Sequence, residues 1–368
     1  MLASARNDPH GYIRSLQARK VVLDEFQYAP ELIPAIKEAS DQLPHGERGK
    51  FLLTGSTDFF RSARVQEALP GHMARLELLP LSLSELHDGQ DNIVDMLLSG
   101  KFNRGKAALL EREQLATWIL NGGYPEVQEK SARAQQVWFR SYMEGRLFKD
   151  FASLYAARGD YHSKIQALAP YLAGLCGNLL KYANIGNDLS LDDRVVKNYI
   201  EILELMFIVR RVPAWLKNRG KRQATQLPKL HFVDTGLACH LLGLTNAHSL
   251  LASQYFGGLL ENSLFMELTK QSGWAQTPVT LYHFRDHRQQ EVDMVLERAD
   301  GRLTGIEVKA SSTLRPGDFK SLARLAEFAG KKFEQGVILY SGQEVLPFTL
   351  GEVSCHALPM GILKGSLP

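Results

Sequence analysis

The stretch VVLDEFQ, residues 21–27, is a short apolar run that ends in two carboxylates. Such a run predicts a buried strand of a parallel sheet. A helical segment at 30–42 and a second apolar run at 51–56 follow it, so this region predicts one right-handed crossover of an open α/β sheet. Ligands of such sheets bind at the carboxyl ends of the strands, where we expect Asp24, Glu25 and Ser56 to meet. The alternative is that the two carboxylates only cap the next helix.

The same two carboxylates have the order of a Walker B motif. In that motif the aspartate holds Mg²⁺ and the glutamate polarises the attacking water. Both need a glycine-rich loop that cradles the phosphates, and the 368 residues contain no G-x-x-x-x-G-K-[ST]. The sequence therefore predicts an incomplete ATP site.

Three stretches, at 21–32, 51–56 and 69–86, resemble the AAA-type ATPases of bacteria and archaea that carry a characteristic C-terminal extension. The resemblance implies that Asp24 binds Mg²⁺, that Glu25 is catalytic, that Ser56 senses the γ-phosphate and that ATP is the cofactor of the complete family. The family usually has Gly-Arg where this chain has Gly71-His72, which leaves Arg75 as a nearby substitute. We expect a truncated member without ATP turnover of its own, because most of the binding energy for the triphosphate is missing.

Composition is that of an ordinary intracellular protein. Hydrophobic residues make up 45% and charged residues 23%, with a net charge of +3, which excludes a disordered chain. The three cysteines are isolated in sequence, so we expect reduced thiols, a cytoplasmic location and no membrane segment. The length predicts an α/β multidomain protein, divided as 1–88, 89–253 and 254–368.

The middle region predicts helices and a winged helix-turn-helix. Its elements are a helix at 165–180, a turn at 184–187, a second helix at 192–206, and two strands at 207–212 and 229–233. The second helix and the loop between the strands offer cations to phosphates or a groove, namely Arg194, Lys197, Lys217, Arg219, Lys221 and Arg222. DNA is the partner that these residues suggest. A packing module, or contacts with another protein or a second copy of the chain, is the alternative.

The C-terminal region predicts the order αβββαβ, with helices at 257–272 and 317–330 and strands at 280–285, 291–297, 303–309 and 336–341. Glu307 and Lys309 lie two apart on one strand and so face the same side, and Asp293 begins the paired strand. Carboxylates bind Mg²⁺ through oxygen, and their mutual repulsion should raise their pKa values. An exposed hairpin with unrelated charges is the alternative.

This pattern resembles the PD-(D/E)XK restriction-endonuclease-like core. The resemblance implies that Asp293, Glu307 and the helical Glu261 are Mg²⁺ ligands and that Lys309 is catalytic. Two functions remain: an ATPase-derived, DNA-associated protein with a Mg²⁺-dependent nuclease-like domain, or a non-catalytic binding scaffold derived from such an ATPase.

Overall fold

The computed structural model describes residues 2–16, 20–44, 47, 49–58, 73–89, 91–102, 105–107, 110–151, 160–217 and 227–364. It is a mixed α/β structure. The first seven described helices are α1 (Leu2–Asn7), α2 (Pro9–Ser15), α3 (Ile33–Asp41), α4 (Leu83–Leu86), α5 (Ile93–Ser99), α6 (Arg112–Asn121) and α7 (Pro125–Gln128). The others are α8 (Ala132–Met143), α9 (Tyr161–Gly174), α10 (Tyr182–Leu189), α11 (Asp193–Leu205), α12 (Thr235–Leu241), α13 (Ala247–Ala252), α14 (Phe256–Ser272) and α15 (Lys320–Ala329).

The strands form three sheets in the described part of the chain. They are β1 (Val21–Leu23), β2 (Phe51–Leu53), β3 (Val209–Val212), β4 (Lys229–Phe232), β5 (Val279–Arg285), β6 (Glu291–Arg298), β7 (Leu303–Lys309), β8 (Phe333–Tyr340), β9 (Leu346–Leu350) and β10 (Val353–Pro359). β1 pairs with β2, β3 pairs with β4, and the remaining six form one sheet. No helix within the described ranges is long and apolar enough to cross a membrane.

One compact unit comprises Met1–Leu78 and Glu201–Ile208. Its β1 and β2 are parallel and in the register Val22↔Leu52, with α3 in the connection between them, which is the predicted strand, helix and strand. The apolar sides of the helices form its core with Phe26, which is 2% exposed. Val22 and Leu52 instead face solvent, at 63% and 57% exposure.

The second unit comprises Leu79–Ile200 and Val209–Pro368 and is built on the six-stranded sheet, whose order is β5-β6-β7-β8-β10-β9. The three strands β5 to β7 are antiparallel, β8 is parallel to β7, and β10 is parallel to β8. The elements α14, β5, β6, β7, α15 and β8 follow the predicted order αβββαβ. α15 packs on β6, β7 and β8 through Leu322 and Leu325, and Gly305 lets it approach, because a Cβ there would lie 2.8 Å from Leu325.

Two segments that are far apart in the chain, GGYPE at 122–126 and VDTGL at 233–237, meet inside this unit. Asp234 caps α12 by accepting from the Leu237 N–H, and its other oxygen accepts from the Gly123 N–H at 2.7 Å. Gly122 must lack a side chain, since its φ is 63° and a Cβ would lie 2.2 Å from the Asp234 carboxylate. The segments GGYPE and VDTGL are therefore two halves of one buried capping arrangement.

The middle region contains three successive helices followed by the antiparallel pair β3 and β4, in the register Val209↔Phe232. The predicted turn at 184–187 is wrong. These residues belong to α10, whose Ile185 is buried while Asn184 and Asn187 are exposed, so the polar residues form the outer face of a short amphipathic helix. The turn lies after Ser190, which has a φ of 55°.

The segment that leaves β3 pairs with the large sheet. Ala214 forms a parallel bridge with His283 of β5, and the Trp215 N–H donates to the His283 carbonyl at 2.6 Å. Trp215 is fully buried in the core under the sheet. The backbone is therefore fixed to the large sheet at Trp215, two residues before Lys217, where the basic loop begins.

Replacing Asp234 with alanine should lower the free energy of unfolding of this unit by about 3 kcal/mol, because two buried N–H groups lose their acceptor and α12 loses its cap. Denaturant unfolding followed by fluorescence measures this. Asp300→Ala, at an exposed turn, is the matched control and should leave the midpoint nearly unchanged. Equal effects of the two substitutions would contradict the structural role of Asp234.

Candidate active site

The predicted acidic residues converge at one end of β6 and β7. Met294 is opposite Ile306, so Asp293 and Glu307 are neighbours across the two strands. Asp293 Oδ2 accepts from the Val308 N–H at 2.8 Å, which fixes the orientation of its carboxylate. Glu307 Oε2 lies 2.8 Å from Lys309 Nζ. The Glu307 side chain is 3% exposed and that of Lys309 is 29% exposed, so the pair sits at the wall of the site with its ammonium group toward solvent.

A second lysine, for which no role was predicted from the sequence, lies in the same cluster. Lys229 of β4 is completely buried, and its ammonium nitrogen is 2.6 Å from Glu261 Oε1 and 2.5 Å from Glu291 Oε1. Asp293 Oδ1 is 3.8 Å away. Glu261 therefore reaches the predicted cleft, and there its carboxylate binds a lysine. Its role as a metal ligand stays a prediction.

Backbone contacts position Lys229. The Leu230 N–H donates to the Asn178 carbonyl at 3.0 Å, and the Gly177 N–H donates to the Leu230 carbonyl at 2.9 Å. Asn262 of α14 bonds both the N–H and the carbonyl of Phe232, at 2.6 and 2.9 Å, so the strand and the helix that carries Glu261 are joined directly. The predicted boundary between 253 and 254 stays a prediction, and the contacts of the site cross it.

Gly177 makes the room that Glu261 needs. Its φ is 73°, a conformation that favours glycine, and a Cβ there would lie 3.0 Å from Glu261 Oε2. Any side chain at this position would push against the carboxylate. The backbone of the loop after α9 is therefore one wall of the acidic cluster.

The pKa values of the carboxyl groups are raised in the predicted direction, but burial rather than mutual repulsion is the main cause. Burial raises the pKa of Glu307 to about 8, and the nearby Asp293 contributes to this rise. Burial likewise raises the pKa values of Asp293 and Glu261. Burial would lower the pKa of Lys229, but the surrounding carboxylates, Glu261 foremost, outweigh it and raise that pKa, so the ammonium stays charged.

Two buried histidines border the cluster and stay neutral. Burial, reinforced by the positive charge of Lys229, lowers the pKa of His283 to about 3 and that of His231 well below its ordinary value. His231 stacks on Phe265 with the ring centroids 4.2 Å apart. These imidazoles add no charge to the site near neutral pH.

Four acidic side chains and three cations lie together here. The carboxylates are Glu261, Glu291, Asp293 and Glu307, and the cations within ion-pair distance of them are Lys229, Lys309 and Arg285. Glu307 Oε1 is buried and, among the described residues, has no hydrogen-bond partner. A buried carboxylate oxygen without a partner is costly unless it is protonated or binds a cation.

Whether Mg²⁺ suits the site depends on the two carboxylates next to this unpartnered Glu307 oxygen. Asp293 and Glu307 are two adjacent carboxylates, which suit a hard cation that keeps most of its waters. Within the ranges that the structure describes, no group of three or more His, Cys, Asp and Glu side chains is arranged to hold a metal ion. Asp293 and Glu307 are the two carboxylates that could hold a cation here, and this role stays a prediction.

The predicted ATP-site residues also come together, in the first unit. Ser56 Oγ donates to Glu25 Oε2 at 3.0 Å, and the Gln27 amide bonds to both side chains. The Thr54 hydroxyl donates to Asp24, and Glu25 has a left-handed φ of 50°. The alternative that these carboxylates cap the next helix has no support here, because Glu25 makes no side-chain capping bond.

The remaining predicted residues are dispersed. Arg75 is held by Asp58 at 2.7 Å. Arg194 and Lys197 lie exposed on α11, and Lys217 is exposed at the start of the basic loop. Arg219, Lys221 and Arg222 lie outside the described residues, as does the Gly71-His72 pair. The roles given to these residues stay predictions.

Comparison with known protein families gives three matches, each to a different part of the chain. A model of the AAA domain matches residues 2–87. Two models described as domains of unknown function match 112–248 (DUF8612) and 256–363 (DUF4143). The N-terminal and C-terminal matches together support an AAA-type ATPase-like family for this chain.

The similar proteins are uncharacterized. One from Mycobacterium bovis and one from Mycobacterium tuberculosis are each 25% identical over 331 residues, covering 89% of this chain and 66% of theirs. One from Methanocaldococcus jannaschii is 24% identical over 277 residues, covering 73% of this chain and 57% of its own. The chain thus spans just under two thirds of the length of the two mycobacterial relatives. No solved structure matches the chain.

Glu307→Gln should change how stability depends on pH. Folded Glu307 keeps its proton up to about pH 8, whereas the unfolded chain releases it near the ordinary value of 4.5. The folded state therefore holds the extra proton between these values, and the stabilisation present below about pH 4.5 is lost as pH rises toward 8. Stability of wild type relative to Glu307→Gln should fall by up to about 1.4 kcal/mol per pH unit in that window.

Urea unfolding at a series of pH values without divalent metal measures this slope. The exposed Glu352→Gln is the control and should follow wild type at every pH. Wild-type and Glu307→Gln curves that stay parallel from pH 5 to 8 would show that Glu307 is an ordinary carboxylate.

Proposed function

We propose that the C-terminal sheet of this AAA-type ATPase-like chain carries a Mg²⁺-dependent site for hydrolysis of phosphodiester bonds in nucleic acid. The observation that supports the proposal is the buried Glu307 oxygen without a hydrogen-bond partner among the described residues, beside Asp293 and Lys309. A buried acidic group with a strongly raised pKa in such a setting is a mark of a functional site.

The chemistry follows from the positions of three side chains. Asp293 and Glu307 would hold the ion, and Mg²⁺, when bound, lowers the pKa of its water and neutralises charge on a phosphate. Glu307 must give up its proton to bind, and the ion makes this favourable because it replaces the missing counter-charge. Lys309 Nζ, partly exposed next to Glu307, orients a water or stabilises the extra charge of the pentavalent phosphate.

The other regions carry the residues that we propose contact nucleic acid and nucleotide. Arg194, Lys197 and Lys217 are exposed, which phosphate contacts require. Asp24 and Glu25 follow β1 directly and bond to Thr54 and Ser56 after β2, which is compatible with the proposed Walker B role. ATP hydrolysis would need a phosphate-cradling loop that is not among the 368 residues.

One observation favours a second candidate, a non-catalytic binding scaffold. Lys229 already forms ion pairs with two of the four carboxylates, and a buried ion-pair network of this kind can serve structure alone. The two candidates differ in whether the site binds a divalent cation.

Mn²⁺ or Mg²⁺ should raise the melting temperature of the wild-type chain, because the metal binds only the folded arrangement. At about one hundred times the dissociation constant the gain is about 2.7 kcal/mol. Asp293→Asn and Glu307→Gln should each remove the shift, and Glu352→Gln should keep it. A wild-type chain whose melting temperature ignores both metals would leave the scaffold as the better account.

Cleavage of single- and double-stranded DNA and RNA in the presence of Mg²⁺ tests the chemical step. Lys309→Met should lose cleavage while keeping the metal-induced thermal shift, since Lys309 acts on the water or phosphate. Loss of both in Lys309→Met would point to a structural role for this lysine.

Binding of nucleic acid should be weak, tolerant of sequence and strongly dependent on salt. Replacing Lys217, Arg219, Lys221 and Arg222 with alanine should flatten the slope of log K against log salt by about 0.9 for each phosphate that the protein no longer neutralises. The matched control replaces Lys101, Lys130, Arg133 and Lys331, exposed cations elsewhere, with alanine, for the same change in net charge. Equal slopes in the two variants would mean that the loop has no particular role.

A further inference from the structure

The position of Lys229 divides the acidic cluster into two halves. On one side, Glu261 and Glu291 lie 2.6 and 2.5 Å from its nitrogen. On the other side, Glu307 is paired through one oxygen with Lys309, and its second oxygen has no hydrogen-bond partner among the described residues. Asp293 stands between them, with Oδ1 at 3.8 Å from Lys229 and Oδ2 on the Val308 N–H.

An ammonium group has three N–H donors, and three carboxylates lie within 4 Å of this one. Lys229 cannot withdraw into solvent, because its side chain is fully buried and its backbone is held by residues 177–180. Its partners are also held in place, since Asn262 joins α14 to β4 and Arg285 binds Glu291 at 3.1 Å.

Resting on the function proposed above, we propose that Lys229 is a built-in cation that permanently takes one of the two cation positions of the cluster, so that the site binds a single divalent ion. Glu261 and Glu291 are partners of this lysine, and Asp293 and Glu307 are the carboxylates left for the ion. The proposal removes Glu261 from the metal-ligand set that the family resemblance implies.

The arrangement has a physical reason. Two divalent ions bring four positive charges, and a lysine with one divalent ion brings three. With Lys309 and Arg285 also present, the four carboxylates need only a modest further charge. The lysine also stabilises the folded chain in the absence of metal, because without it three neighbouring carboxylates would be buried against one another.

The test is the number of Mn²⁺ ions bound, measured on the whole chain by calorimetric titration and by the loss of the free Mn²⁺ signal in electron paramagnetic resonance. Wild type should bind one ion. Lys229→Met, which removes the charge and keeps much of the side-chain volume, should bind two. Lys229→Arg keeps a cation and should bind one.

Glu261→Gln supplies a second test if Lys229→Met does not fold. This variant should still bind one ion with an affinity within about threefold of wild type, because its carboxylate serves the lysine. Loss of the ion in Glu261→Gln would overturn the proposal and restore Glu261 as a ligand.

The number of ions bound also separates the role of Lys229 from the proposed function. One ion in wild type and still one in Lys229→Met would overturn the role of Lys229 and leave the metal site standing. No ion in wild type would overturn the metal site itself. No ion in wild type and one ion in Lys229→Met would overturn both the proposed metal site and the proposed role of Lys229. The lysine would then occupy the position of the one ion that the cluster could hold.

Discussion

A buried ammonium group can stay charged only where carboxylates surround it, and this constraint joins the distant parts of the second unit. Lys229 comes from the short strand after the basic loop, Glu261 from a long helix, and Glu291 and Asp293 from a strand of the large sheet. Removing any one of these carboxylates would leave the buried ammonium group with less counter-charge in an apolar interior. The packing of helix, strand pair and sheet is therefore tied to one electrostatic arrangement.

Breaking a buried ion pair by removing one partner is far more destabilising than never having had it. Such a network therefore fixes how the elements pack against one another more than it adds to the net free energy of unfolding. Here it joins α14 to β6 through Lys229, while the register of β6 with β7 places Asp293 beside Glu307. The same lysine that reduces repulsion among the acids also lies 3.8 Å from the Asp293 carboxylate, at the edge of the place where a cation would sit.

Much of the sheet and part of the site could be predicted from sequence, because both depend on local patterns. The alternation of β7 places Glu307 and Lys309 on one side, and the hairpin brings Asp293 beside them. Lys229 could not be found this way. Its strand, KLHF, alternates polar and apolar residues, which predicts an exposed lysine, yet every position is buried. The partners of the lysine are also separated from it by 32 residues or more. The pairing of the Trp215 segment with β5 could not be predicted either, because pairing between segments that are far apart in the chain produces no local sequence pattern.

Gly177 has a consequence for comparing sequences. Its backbone is left-handed, and a Cβ at this position would lie 3.0 Å from the Glu261 carboxylate, so any other residue would be strained and would have to displace that carboxylate. Homologous chains that keep the Glu261 carboxylate in this place should therefore keep glycine at the position of Gly177. An alignment would show this pairing of a glycine with an acid 84 residues further along the chain, although neither residue is part of the other's local pattern.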